Sequence, residues 1–326
     1  MTTDTESDGE GVAEKPRCIV CGSHQLRPLP GIEESAFGVL VCGRCGTGRT
    51  DPLPDPTQLE AFYPDEYYGG ENDGKFRPFI EALVKSTSAR KARRLTKGLP
   101  PGSRILDLGC GRGTMLGAFA DRGLEVHGVE VNERAARGAD PRAEIHIAER
   151  LSDVGYPPEF FDRVVIWHVL EHLVDPRETL VEVHRILKRG GQVAIAVPNY
   201  SSLQARWAGP DWFHLDLPRH FHHFPLRALR TLIESCGLCC REARHFSIRQ
   251  NPFGWVQSAL NRFGWFPRNG LYRMLQGSPK ADGESSMNRT SLMALFCVGM
   301  PAALVLSAVT ALLRSGATVS VWAEKC

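Results

Sequence analysis

Past residue 100 the chain alternates between two kinds of segment. Short apolar runs at 104–108, 125–129, 144–148, 164–167 and 192–197 read as strands, and apolar positions at helical spacing mark 114–122, 177–187 and 226–236 as helices. Gly123 and Gly237 follow two of those helices and predict their C-terminal ends. Val164, Val165, Ile166 and Trp167 form an unbroken apolar run, which suits a strand covered on both faces. Strands alternating with helices predict an α/β protein with a doubly wound parallel sheet. Upstream, 76–99 reads as a helix with Arg90, Lys91, Arg93 and Arg94 on a solvated face. Downstream, the 24 residues 290–313 carry no charge and lie between Arg289 and Arg314. As a helix they would extend about 36 Å, long enough to cross a bilayer. Gly299-Met300-Pro301 is expected to break that run into halves too short to span. Thr318-Val319-Ser320-Val321-Trp322-Ala323 closes the chain with a strand pattern.

The most informative turn follows the first of these strands. Asp107-Leu108-Gly109-Cys110-Gly111-Arg112-Gly113 places three alternating glycines where backbone must approach a ligand closely. Glu130, at the end of the next strand, follows Gly109 by 21 positions, the offset of a carboxylate that accepts ribose hydroxyls. A nicotinamide dinucleotide is disfavoured on two counts. The spacing is G-x-G-x-G, not G-x-G-x-x-G, and Asp107 would repel a pyrophosphate. The same carboxylate would attract an α-ammonium group, as S-adenosylmethionine carries.

With these residues the chain resembles the class I S-adenosylmethionine-dependent methyltransferases. Phe161-Asp162-Arg163-Val164-Val165-Ile166, Leu170-Glu171-His172-Leu173-Val174-Asp175-Pro176 and Leu187-Lys188-Arg189-Gly190-Gly191 match their later motifs in order. The resemblance covers about 100–245 and implies a Rossmann-like seven-stranded sheet. It implies that the final strand inserts antiparallel beside a strand near 238–246, so that 250–314 is an insertion. It further implies that Asp107, Gly109, Cys110, Gly111, Gly113, Glu130 and His168 line the cofactor site, with Glu149 near the adenine.

Near the N-terminus, Cys18-x-x-Cys21 and Cys42-x-x-Cys45 stand 20 residues apart, the two-knuckle spacing of a zinc ribbon. Gly22 and Gly46 follow the second cysteine of each pair, where a knuckle needs a permissive backbone. Four thiolates leave no open coordination position, so a structural Zn2+ is expected. A ribbon ahead of the proline-rich connector Asp51-Pro52-Leu53-Pro54-Asp55-Pro56 resembles the front of bacterial methyltransferases linked to polysaccharides and secondary metabolites. Sugar C-methyltransferases also begin with a zinc-binding segment. The aromatic group from Phe62 to Tyr68 either shapes a substrate entrance or packs the connector. The remaining cysteines show no ligand spacing and are expected to be reduced structural thiols.

Methyl transfer from a sulfonium is a direct displacement, in which orientation supplies much of the rate and an oxygen nucleophile calls for a base. His168, Glu171 and His172 follow the fourth strand of the core, and Arg219-His220-Phe221-His222-His223-Phe224 supplies a second histidine group. His168 and then His220 are the candidate bases, with Glu171 and His172 beside them. A divalent ion at Glu171 and His172 is the alternative reading of that pair. His168-x-x-Glu171-His172 also spells an inverted zinc-protease signature, which requires a helix where this chain predicts a strand mouth.

Composition narrows the partners. Thirty-nine Lys and Arg against 37 Asp and Glu give a net charge of +2, which argues against a polyanionic partner such as RNA. Met1–Gly11 lacks the basic start and apolar run of a signal peptide, so a cytoplasmic enzyme is expected. Phe253, Trp255, Phe263, Trp265, Phe266 and Tyr272 with Arg262, Arg268 and Arg273 give the insertion an interfacial character, so peripheral contact at the inner face of a membrane competes with simple packing and, as a third reading, with a true crossing by 290–313. The expected organisation is a disordered tail (1–14), a zinc ribbon (15–50), a linker and helical cap (51–99), a methyltransferase core (100–249), a helical insertion (250–314) and the core's final strand (315–326). The expected activity is methylation of a hydroxyl on a sugar, free or lipid-linked, or on a small metabolite. Sugar C-methylation, RNA modification and a non-catalytic cofactor-binding regulator are the alternatives.

Overall fold

The computed structural model describes residues 16–32, 36–62, 78–276 and 286–326. The expected tail and Tyr63–Tyr68 lie outside the described residues.

Eleven strands fall into two sheets among the described residues. The smaller contains β1 (Leu26–Pro28), β2 (Gly38–Cys42), β3 (Gly48–Asp51) and β9 (His222–His223), in that spatial order. The larger contains β4 (Arg104–Leu108), β5 (Glu125–Glu130), β6 (Glu144–Ile147), β7 (Phe161–Trp167), β8 (Leu187–Pro198), β10 (Leu238–Arg244) and β11 (Thr318–Lys325). Its spatial order is β10-β11-β8-β7-β4-β5-β6. β11 runs antiparallel to both neighbours, with Val319 opposite Val197 and Val321 opposite Ala243, as the resemblance implied. The remaining core pairs are parallel.

Two apolar layers cover this sheet. On one face Leu180, Val183 and Ile186 of helix Pro176–Ile186 join Leu229, Leu232 and Ile233 of helix Leu226–Ser235 over Val164 and Ile166. On the other, Ala92 and Leu95 of helix Pro78–Leu95 join Leu116 and Phe119 over Ile105, Val126, Val165 and Ala194. The alternate residues of β7 therefore face opposite layers, which is why the whole run is apolar. Helix 176–186 starts where the sequence dictates: Asp175 accepts the N–H groups of Arg177 and Glu178, and Pro176 occupies the first turn.

Three expectations need correction. First, Gly299-Met300-Pro301 does not break the apolar run, which is a single helix, Ser286–Leu312. Pro301 is exposed; it withdraws one N–H from the ladder and crowds the Cys297 carbonyl, but packing of Phe296, Met300 and Ala303 with Trp255, Val256 and Leu260 holds the helix continuous. Second, the cysteines are not all reduced, because Cys239 and Cys326 form a disulfide. Pairing of the edge strands β10 and β11 brings their Cα atoms to 5.9 Å, inside bridging range. Third, the solvated face of helix 78–95 holds Arg90, Arg93 and Arg94 but not Lys91, which turns inward.

Candidate active site

The site is assembled at the carboxyl edge of β4, β5 and β7. Gly109, Gly111 and Gly113 all adopt left-handed backbone, with φ of +68°, +52° and +65°. A Cβ on Gly109 would come within 2.4 Å of Val169, and one on Gly113 within 2.7 Å of Ala139. One on Gly111 would meet nothing within 4 Å. The first and third glycines thus permit close packing, and the second faces open space, the cradle a ligand needs. Cys110 N–H donates to Val129 O. Its thiol packs under β5, close enough to Gly128 that a Cβ there would lie 2.9 Å from Sγ, and burial pushes its pKa up to about 12.

Two carboxylates flank the cradle. Asp107 is 2 % exposed, and burial raises its pKa to about 7 despite the opposing charge of Lys91. Glu130 Oε2 accepts the Gly111 N–H at 2.8 Å, and Oε1 accepts those of Val131 and Asn132. Glu149 is exposed just beyond β6, at the same sheet edge, where Ala148 N–H donates to Glu130 O.

Lys91 went unrecognised in the sequence. Its ammonium lies 4.6 Å from the centre of the Trp167 ring, and burial, then Arg249, lower its pKa to about 8 while Asp107 opposes the shift. The signal was present: Ser88, Ala92, Leu95 and Thr96 form the helix's buried stripe, and Lys91 falls within it. Lys91 and Asp107 together match the opposite charges of an amino acid's carboxylate and ammonium.

Opposite the glycine turn stands the loop after β7. His168 has φ of +57°, a strained conformation for a side-chain-bearing residue at a strand end. Its Nδ1 lies 3.1 Å from Glu171 Oε1, while His168 Nε2 and Glu171 Oε2 are buried without a partner. Burial, followed by the charges of Lys91 and Arg249, pushes the His168 pKa down to about 3. Burial raises the Glu171 pKa. Glu171 and His172 belong to a single 3-10 turn, Leu170–His172, so the protease reading lacks its helix.

The second histidine group meets the first. His172 Nδ1 donates to Arg219 O at 2.8 Å and His220 Nδ1 to His214 O at 2.9 Å, since a carbonyl can only accept. The two rings lie 4.6 Å apart, and the ligand atoms of Glu171, His172 and His220 fall within 4.8 Å of one another, a spacing that could hold a divalent ion. His222 and His223 instead form β9 and pair with the cysteine module through Arg49 and Gly48. Phe221 N–H donates to Glu171 O at 2.8 Å, so this strand links the module to the site.

In that module the four thiols lie within 4.8 Å of one another, with Cys18–Cys45 and Cys21–Cys42 separations of 3.4 and 3.6 Å. Sulfurs on a tetrahedron around zinc stand about 3.8 Å apart, given Zn–S bonds of about 2.3 Å. Gly22 N–H donates to Cys18 O and Gly46 N–H to Cys42 O, closing two matching knuckles.

A seven-stranded sheet with a reversed last strand, a glycine cradle between two carboxylates and a facing histidine loop define a class I S-adenosylmethionine-dependent methyltransferase. The chain belongs to the methyltransferase domain family whose model matches residues 80–243. It is 29 % identical over 215 residues to the ubiquinone biosynthesis O-methyltransferase of Maricaulis maris (strain MCS10), covering 58 % of this chain and 82 % of that one. It is 28 % identical over 235 residues to the protein of the same name from Ruegeria sp. (strain TM1040), covering 64 % and 92 %. Among solved structures, the [4+2]-cyclase SpnF superposes with a TM-score of 0.51 at 19 % identity, over 84 % of this chain and 97 % of that one, a likeness of fold.

Proposed function

We propose that the enzyme transfers its methyl group to a hydroxyl, carried on a sugar or another small metabolite, free or lipid-linked. The observation that carries this reading is the His168–Glu171 pair. Its Nδ1–carboxylate contact fixes the ring, and its buried Nε2 is left without a partner beside the glycine turn. That is a base held by an orienting acid, which an alcohol nucleophile needs and an amine does not. Depression of its pKa keeps the imidazole neutral at pH 7, and the Glu171 contact at Nδ1 leaves Nε2 free to take a proton. The names of the relatives point the same way, since both are O-methyltransferases.

The residues present fit the methyl donor. Asp107 would hold its ammonium and Lys91 its carboxylate. Glu130 would take the ribose, with three of its roughly four acceptor directions already used by backbone N–H groups. When bound, S-adenosylmethionine supplies an electrophilic methyl on a neutral leaving group. We further propose that Cys18, Cys21, Cys42 and Cys45 hold one structural Zn2+, supported by the two knuckles and the closed thiol set.

The test is mass spectrometry of sugar-nucleotide and lipid extracts incubated with the protein and methyl-labelled donor. An O-methyl product supports the proposal. Label on carbon or nitrogen contradicts it.

A further inference from the structure

Helix Ser286–Leu312 has two unlike faces. Leu292, Ala303, Ser307 and Thr310 are buried, so it is fixed to the enzyme along nearly its whole length. Most of its remaining surface is exposed and apolar: Val298 is 78 % exposed, Val305 64 % and Leu312 84 %. Beside it, helix Gln250–Phe263 leaves a groove of about 540 Å³ lined by Trp207, Trp255, Leu260, Phe263, Trp265 and Leu306. Trp265 is 70 % exposed and stacks on Phe263 at 5.2 Å. Cations surround this surface. Arg289 precedes the apolar run and Arg314 follows it, and the Arg262 guanidinium lies 5.8 Å over the Trp207 ring. Across 250–314 the sequence has six Lys and Arg against two Asp and Glu.

We propose that this face docks the enzyme on an anionic lipid bilayer, with the outer side of helix 286–312 immersed in one leaflet and a lipid hydrocarbon chain in the groove. Exposed aliphatic surface would lie among acyl chains, and the tryptophans and arginines at the level of the head groups. Crossing is excluded by packing. Leu292 and Thr310, toward the two ends of the helix, are buried against the enzyme, and β11 returns at once to the interior of the core sheet, so lipid cannot surround it. A second copy is the poorer occupant. In a two-fold pair the same arginines would face one another, whereas lipid phosphates oppose them in charge.

The groove also adjoins the chemistry. A Cβ on Gly254, one residue before Trp255, would lie 2.7 Å from His214 Nε2. Helix 250–263 therefore touches the histidine cluster with one side and lines the lipid groove with the other. On the hydroxyl-acceptor reading, this arrangement presents a membrane-borne acceptor to the site.

The experiment is co-sedimentation of the full chain with vesicles of phosphatidylcholine alone or mixed equally with phosphatidylglycerol. It needs no acceptor, so it stands or falls apart from the acceptor assignment. Binding to the anionic vesicles is expected, weakened at least about tenfold in the double variant Val305→Glu, Leu312→Glu. Brominated acyl chains should quench tryptophan fluorescence in the wild type. Unchanged donor affinity by calorimetry would show that the variant folds. Absence of vesicle binding in the wild type, equal binding by the variant, or resistance to carbonate extraction would each overturn the proposal. So would a dimer that the variant dissolves without any lipid binding.

Discussion

The Thr50 hydroxyl donates to the carbonyl of His220 at 2.5 Å, joining the last strand of the cysteine module to the histidine that faces His172. Two further contacts run alongside: Thr50 N–H donates to Phe221 O, and Phe221 N–H to Glu171 O. The module is thereby one side of the frame that holds the site, not an appended lid. Thr50→Val would leave a buried carbonyl unpaired, at about 1–3 kcal/mol. Turnover should fall roughly tenfold or more with donor affinity unchanged, because the histidine group shifts relative to the cradle. Thr50→Ser should restore it. Steady-state kinetics beside donor titration checks this, and full turnover in the valine variant would contradict it.

Metal removal tests the same frame from its other end. Cys42→Ser should release the proposed zinc and lower both the melting temperature and turnover. Metal analysis, a thermal melt and a rate assay on one preparation read all three. A metal-free wild type that melts and turns over normally would refute it.

The His168–Glu171 pair predicts a division between binding and rate. His168→Ala should cut turnover by about 10²–10⁴, the range of a lost general base, while donor affinity stays within a few-fold. Glu171→Gln should act in the same direction through the orientation of the ring. Equal losses in donor binding would assign both residues a structural role.

Acid should destabilise the fold. Burial holds His168 and His214 down at about 3, His172 and His222 at about 4, His220 below its ordinary value and His223 well below it. Such groups take up protons more readily when unfolded, so their stabilisation is complete above about pH 6.5 and is lost as pH falls, by about 1 kcal/mol between pH 6.5 and 5.5 for each of the four held at about 3 or 4. Asp107 and Glu171, raised by burial, act oppositely, since the folded state keeps their protons as pH falls. Six groups outweigh two, and the melting temperature should drop from pH 7 to 5.5. A flat or rising profile would contradict this balance.

Much of this was legible in the sequence because it depends on neighbours in the chain. The glycine turn, Asp107, Glu130 and the two cysteine knuckles are short-range patterns, and β-branched runs reveal strands covered on both faces. What stayed hidden depends on distant residues. β9 is two residues long and becomes a strand only because Gly48 and Arg49 lie beside it. Lys91 reads as one more cation in a basic helix until Trp167 and Asp107 surround it. Pro301 reads as a break in isolation and is tolerated here because the other side of its helix is packed on the enzyme. The Cys239–Cys326 bond needed the register of β10 against β11.

The central claim is that the cradle between Asp107 and Glu130 takes a sulfonium nucleoside and not a dinucleotide. Its most direct test is calorimetric titration from pH 6 to 8. S-adenosylmethionine should bind one to one and tighten as Asp107, raised to about 7, ionises, with a proton released below that pH. Asp107→Asn should weaken it about 10–100-fold, and NADH should give no heat. Uptake of NADH with no response to S-adenosylmethionine would contradict the account.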